Sequence, residues 1–402
     1  MFNLEKFIKN CVINRDQSMF LSDIEDNRQE LITKIEGKTI CVIGGAGSIG
    51  SSFIKAVLPF KPRAMVVVDI NENSLAELTR DLRSTKGMYV PKDYITYPIS
   101  FASKTFEKIF IKREGFDIVA NFSAHKHVRS EKDVYSIEAL IKNNVLDVKL
   151  LLDLLKKYPP KEYFCVSTDK AANPVNIMGA SKRIMEDLIF TYSRYFPVKT
   201  ARFANVAFSN GSLPAGFLAR IQKLQPLSAP YDVKRYFVSP EESGHICMLA
   251  CMLGKNREIF FPKLKEEQMI TFDVIAERLL EEFGYKVCKC NSDEEAIDRA
   301  VELKNGSTEY PVHFSISNTS GEKAYEEFYT ISESVEMDRL SALGIVTDKS
   351  IPEQEKIDDL FEKLNVIFNN KNVTKEEVVK IITNYLPNFK HIETGKSLDS
   401  KM

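Results

Sequence analysis

The stretch "STDKAANPVNIMGASKR", Ser167–Arg183, sets an acid beside an amine. Asp169 can hold and release a proton, and Lys170 can accept one if it is neutral. Burial, or a second cation such as Lys182, lowers an amine's pKa and favours that neutral form. Thr168 adds a hydroxyl. Met178 stands four residues before Lys182 and can neither donate nor accept a proton. Alone, "DK" would read as a surface turn. Here it follows the apolar run "EYFCVST" (Glu162–Thr168), and parallel sheets gather their ligands at the carboxyl ends of such strands.

A second constellation suits a dinucleotide. "GGAGSIG" places Gly44, Gly47 and Gly50 three apart, after the apolar run "KTICVI" and before the helical "SIGSSFIKAVL". Gly44 permits the tight turn, Gly47 lets the backbone approach a pyrophosphate, and Gly50 lets the helix pack on the sheet. Ser48 and Ile49 lie in the first helical turn, where free N–H groups and the dipole favour an anion. Asp69 ends the next strand, about twenty residues on, where an acid accepts from the adenosine ribose hydroxyls and repels a 2′-phosphate. NAD is therefore expected, with NADP as the alternative, and Asn71 joins the expected cofactor contacts.

These residues need a scaffold that aligns strand ends. Apolar runs at "AMVVVDI" (64–70), "FDIVANFSA" (116–124) and 162–168 alternate with helical segments such as "SLAELTRDLRS" and "IEALIKNNVLDVKLLLDLLKKY". That alternation predicts an α/β fold, a doubly wound parallel Rossmann sheet with right-handed crossovers, plus a smaller C-terminal substrate-binding portion. The expected division is an N-terminal helical arm over 1–36, the NAD-binding part over 37–205, a substrate-binding portion over 206–350, and a helical tail over 351–402. Capping boxes are read at Ser22 with Glu25 and at Thr374 with Glu377.

The chain has 402 residues with 55 Lys plus Arg against 56 Asp plus Glu, so no global charge draws it to nucleic acid or an anionic membrane. The seven Cys fall in no zinc-site spacing and read as reduced thiols. "AHKHV" puts His125 and His127 two apart on an expected strand end, without further ligands, so no metal is expected. "ICMLACMLG" (246–254) is too short to span a bilayer and reads as a buried helix. No signal peptide is seen at the N-terminus. A cytoplasmic protein without a membrane span is expected, forming a homo-oligomer.

The segments "GAGSIGS", "SAHKHVRSEKD", "STDKAANPVNIMGASKR", "RFANVAFSNGS", "SGEKAYEEFY" and "ETGKSLDSKM" together resemble the nucleotide-sugar 4,6-dehydratases, in the CapD-like polysaccharide-biosynthesis branch of the extended short-chain dehydrogenase/reductases. The resemblance covers nearly the whole chain. It implies a UDP-N-acetylglucosamine-like substrate, a tightly bound cofactor that ends each cycle unchanged, Asp169 as acid for the C6 hydroxyl and Lys170 as base at C5. Most short-chain dehydrogenases carry Tyr where this chain has Met178; one branch of the dehydratases carries Met, which then reads as apolar wall. Lys182 is expected at the nicotinamide ribose. The acceptor of the C4 hydroxyl proton stays open among Thr168, Asp169 and Lys170. The resemblance further implies Ala124 along the cofactor, Lys126 toward the site, Asn144 in support of the catalytic strand, and Asn205, Ser209, Asn210, Arg235 and Glu322 around the sugar diphosphate. An epimerase on the same scaffold and a non-catalytic nucleotide-binding protein are the rival readings.

Overall fold

The computed structural model describes residues 2–127, 131–317 and 326–392. In chain order the strands are β1 (Thr39–Ile43), β2 (Ala64–Asp69), β3 (Asp93–Pro98), β4 (Ile118–Asn121), β5 (Glu162–Val166), β6 (Val198–Ala201), β7 (Asn205–Val206) and β8 (Leu227–Pro230). They continue as β9 (Lys234–Arg235), β10 (Phe237–Val238), β11 (Glu258–Pro262), β12 (Ile270–Thr271), β13 (Lys286–Cys290), β14 (Glu309–Ser315), β15 (Ser334–Glu336) and β16 (Leu343–Thr347).

Nine of these form one sheet in the order β15-β16-β11-β6-β5-β4-β1-β2-β3. The pairings from β3 to β11 are parallel, and β16 and β15 close the far edge antiparallel. β1 lies between β2 and β4, with Cys41 opposite Val66 and Val119. The winding reverses direction there, which opens the crevice where doubly wound sheets take ligands. Runs such as Ile40–Ile43 and Met65–Val68 are buried throughout, as strands covered on both faces must be. The helix Ile177–Thr191 carries only one residue, Arg183, that is not buried. The helix Pro240–Leu253 packs on the glycine-turn helix Ser48–Val57 and on β5, β6 and β11, so "ICMLACMLG" is a buried helix as expected.

Several boundaries differ from expectation. β11, β15 and β16 all lie beyond residue 205 yet complete the large sheet, so the chain leaves it and returns. Three of the remaining strands build a separate sheet, β13-β14-β8, over a second core containing Phe217, Leu227, Ile275, Leu279 and Tyr310, and the other four pair as β10-β7 and β12-β9. The N-terminal arm is divided between the two cores: Phe7, Ile8, Val12 and Ile13 enter the second, while Phe20, Ile24, Leu31 and Ile35 enter the first. Ser22 caps nothing with Glu25. The helix Leu21–Asp26 starts two residues earlier than a Ser22 cap would set it, with buried Phe20 at the N-cap position, and the Ser22 hydroxyl donates instead to Asp26. The Thr374–Glu377 capping box is present at the helix Lys375–Tyr385. β4 ends at Asn121, three residues short of the expected end, because the Asn121 side chain takes the Ser123 N–H and turns the backbone away. His125 and His127 thus lie beyond the strand.

Among the described residues no helix is long and apolar enough to cross a membrane, and no cluster of three or more His, Cys, Asp or Glu could hold a metal. All seven cysteines are free.

Candidate active site

The glycine turn leaves β1 at the point where β4 diverges. Gly44 has φ +68, and a Cβ there would lie 2.6 Å from the Ser123 nitrogen. A Cβ on Gly50 would lie 2.4 Å from the Gly44 carbonyl oxygen. Both glycines are therefore demanded by packing. Gly47 differs: a Cβ on it would meet only the Gly44 oxygen, at 3.3 Å, which leaves its outer face open. Gly47 also heads the helix Ser48–Val57 with no side-chain cap, so the N–H groups of that first turn, at Ser48 and Ile49 among others, face outward without a side-chain acceptor. An open backbone face above an uncapped helix start fits a pyrophosphate.

Asp69 stands at the end of β2, where its Oδ2 accepts from Ala46 N at 3.1 Å and its Oδ1 from Asn71 N at 3.0 Å. It braces the glycine turn and still has lone pairs for ribose hydroxyls, since a carboxylate accepts about four hydrogen bonds. The Asn71 side chain caps the helix Glu72–Ser84 by accepting from Ser74 N. The turn and Asp69 together fit a dinucleotide.

The loop after β4 carries Ala124, His125 and Lys126. Asn144 holds it from behind: Oδ1 accepts from His125 N at 2.9 Å, and Nδ2 donates to His125 O at 2.9 Å and to Ser181 Oγ at 3.1 Å. Asn144 sits in a π-helical turn, Lys142–Leu146, that interrupts two α-helices expected as one. Such turns shift the helix register locally and recur at functional sites.

The acid and base lie just past β5. Asp169 is buried, and its Oδ1 accepts from Thr168 Oγ1 at 2.7 Å. Lys170 Nζ reaches both Asp169 oxygens at 3.3 Å. The Thr168 hydroxyl also accepts from Lys170 N. Lys182 is fully enclosed; its Nζ donates to the Val166 carbonyl at 3.1 Å, and burial lowers its pKa against the opposing pull of Cys165 and Glu186. Met178 is buried within the main core, with its backbone N–H bound by Glu131 at 2.9 Å. Sequence reasoning did not single out Glu131; only the fold brings it under this helix.

The substrate side is less uniform. Asn210 N donates to Ser48 Oγ at 2.9 Å, which ties the "SNGS" loop to the glycine-turn helix. Lys126 Nζ lies 3.4 Å from Ser209 Oγ. Arg235 is buried, with Nη1 on the Lys234 carbonyl. Asn205 turns toward a residue the sequence reading passed over: its Nδ2 donates to Glu326 Oε1 at 2.5 Å, and Tyr236 N donates to Glu326 Oε2 at 2.8 Å. Burial and the charge of Asp169 push the Glu326 carboxyl up to about 8. Its place in "SGEKAYEEFY" was the available signal, but Glu322 was chosen from that run, and Glu322 lies outside the described residues, as does "ETGKSLDSKM".

Comparison with known proteins places the chain in a family. Residues 40–347 match the family described as Polysaccharide biosynthesis protein. An uncharacterized membrane protein of Methanocaldococcus jannaschii is 30% identical over 88% of this chain and 98% of its own. The inverting UDP-N-acetylglucosamine 4,6-dehydratase of Campylobacter jejuni is 24% identical over 75% of this chain and 84% of its own. A UDP-glucose 4-epimerase of Rickettsia typhi is 28% identical over 62% and 72%. Against CapD, the capsular polysaccharide biosynthesis protein of Staphylococcus aureus, 29% identical over 64% of this chain, the chain spans 42% of the relative's length. Among solved structures, Pen from Bacillus thuringiensis superposes with a TM-score of 0.64 at 21% identity, over 83% of this chain and 98% of that one. With its Rossmann sheet, its glycine turn and a match spanning residues 40–347, the chain belongs to the polysaccharide biosynthesis protein family.

Proposed function

We propose that this protein is a nucleotide-sugar 4,6-dehydratase acting on UDP-N-acetylglucosamine or a close analogue. The observation that carries the reading is the buried Asp169 with Lys170 on both of its oxygens, at the carboxyl end of β5, beside Lys182 and a Met at position 178. An epimerase oxidises and re-reduces C4 and needs no second acid–base pair. A dehydratase must also remove the C5 proton and protonate the departing C6 hydroxyl, and it needs both groups close together.

Gly44, Gly47, Gly50 and Asp69 would hold NAD, which when bound would supply the hydride chemistry at C4 and C6. The chain's own residues do the rest. Lys182 binds the nicotinamide ribose and favours loss of the C4 hydroxyl proton. Lys170 takes the C5 proton, which the C4 ketone has made acidic. Asp169 gives a proton to the C6 oxygen as it leaves. Asn144 fixes the loop bearing Ala124 and Lys126, and Asn210, Ser209 and Arg235 receive the nucleotide diphosphate, where a guanidinium suits paired phosphate oxygens. The deciding experiment is mass spectrometry and NMR of products from a small panel of nucleotide sugars. A product lighter by one water supports the dehydratase; an isomer of unchanged mass supports the epimerase.

A further inference from the structure

We infer that Glu131, held in turn by the C-terminal segment, is a positioning residue for the proposed dehydration: its carboxylate fixes the first turn of the helix Ile177–Thr191, and through that turn the backbone of Lys170 and the reach of Lys182. The inference rests on the dehydratase reading, which by itself assigns Glu131 no part.

The first N–H groups of a helix have no partner within it. In this helix Asn176 Oδ1 accepts from Gly179 N at 2.7 Å, and Glu131 Oε1 accepts from Met178 N at 2.9 Å. Asn176 is a local cap, whereas Glu131 reaches in from 47 positions away. Asn176, Met178 and Glu131 are all buried, and a carboxylate on a first-turn N–H makes a charge-assisted bond that the helix dipole strengthens. Glu131 is itself anchored. Its Oε2 lies 3.5 Å from His391 Nε2, and its main-chain carbonyl accepts from Lys375 Nζ at 2.9 Å. Next to His391, Ile392 N donates to Val175 O at 3.1 Å, so the same segment also ties down the residues that lead into the helix. Phe389 is buried in the main core and roots the segment there.

What the turn carries makes its placement matter. A Cβ on Gly179 would lie 2.6 Å from the Lys170 carbonyl oxygen, so the turn packs directly on the backbone of the acid–base pair. Lys182 follows Met178 by four residues, on the same face of the helix, and its Nζ reaches the Val166 carbonyl at the end of β5. A shift of the turn therefore moves Lys170 and Lys182 together, and misplacement of reacting groups by about 1 Å costs roughly 10²-fold in rate.

The test uses the full-length enzyme with its cofactor. Glu131→Ala removes the acceptor, Glu131→Gln keeps an oxygen for Met178 N and loses only the charge, and His391→Ala removes the anchor. Hydrogen exchange, read by mass spectrometry over the peptide from Ile177 to Arg183, should quicken in Glu131→Ala and stay near wild type in Glu131→Gln. Glu131→Ala should lower kcat for dehydration roughly 10–100-fold while KM for UDP-N-acetylglucosamine and the retained dinucleotide hold, and Glu131→Gln should recover most of that rate. His391→Ala should lose less, and its effect should vanish in the double variant with Glu131→Ala, because both act through one contact. Unchanged exchange in Glu131→Ala, a Glu131→Ala kcat equal to wild type, a loss shared alike by KM and dinucleotide content, or a Glu131→Gln enzyme as slow as Glu131→Ala overturns the inference. If exchange changes as expected but no nucleotide sugar loses water, the clamp stands and the dehydratase reading fails.

Discussion

Met178 carries no group that can transfer a proton, and its packing shows what it does instead. Its side chain is enclosed in the main core and its N–H is tied to Glu131, so it shapes the wall and moves no proton. We predict that Asp169→Asn and Lys170→Ala each lower the dehydration rate by roughly 10²–10⁴-fold, because each removes a positioned acid or base. Met178→Ala should cost far less in rate, although the cavity should lower the melting temperature; steady-state rates measured well below that temperature separate the two effects. A Lys170→Ala enzyme that still eliminates water at near wild-type rate removes Lys170 as the C5 base. At the other end of the cofactor, Asp69→Ala should weaken NAD retention by about 1.5–3 kcal/mol through the lost charged hydrogen bonds. Cofactor content after gel filtration reads this out. The glycines, Asp69 and "STDK" were legible because each lies within one short run. Glu326 was not, since its partners Asn205 and Tyr236 lie 121 and 90 positions away along the chain.

Elements hold these residues in place through buried charge as well as apolar packing. Arg202, just past β6, is fully buried and binds Glu186 of the catalytic helix and Glu333 beyond the "EEFY" run, and its Nη1 also donates to the Phe328 carbonyl. One guanidinium thus joins the helix bearing Lys182 to the segment bearing Glu326. Arg202→Met should destabilise the fold by about 3–5 kcal/mol, because it takes the fully buried cation from two buried carboxylates and leaves Glu333 to Lys349 and Glu186 to Arg183 at 3.8 Å; thermal unfolding measures it. Burial alone would raise Glu333, but Arg202 and Lys349 hold it far below its ordinary value of 4.5. A carboxyl depressed in the fold stabilises fully above its unfolded value, and that stability is lost as the pH falls from there toward the folded value. Melting temperature should therefore drop below about pH 4.5 in the wild type, and less steeply in Glu333→Gln. An equal slope in both would show that Glu333 carries no such linkage. The helices themselves were legible from their apolar spacing. The π-helical turn at Lys142–Leu146 was not, because one added residue leaves the hydrophobic pattern almost intact and shows only in which side of the helix Asn144 faces.

At the scale of the whole molecule, alternating strands and helices announced the doubly wound sheet, and the structure has it. The route of the chain was harder to read. β11, β15 and β16 return to the large sheet after the second core has been built, and local pattern carries no signal for such long-range pairing. The N-terminal arm touches both cores, Phe7 and Val12 in one and Phe20 and Leu31 in the other, so it links the two parts that enclose the crevice. Because the proposed cycle consumes no cofactor, the purified protein should carry NAD(H) with none added. Denaturation and analysis of the supernatant checks this, and recovery of NADP(H) alone would refute the role given to Asp69. The central claim is tested by one measurement: incubation with UDP-N-acetylglucosamine labelled at C4 with deuterium, followed by NMR and mass spectrometry of the product. The account predicts loss of one water, with the C4 label recovered at C6. A product of unchanged mass that keeps the label at C4, or label released to solvent, would contradict it.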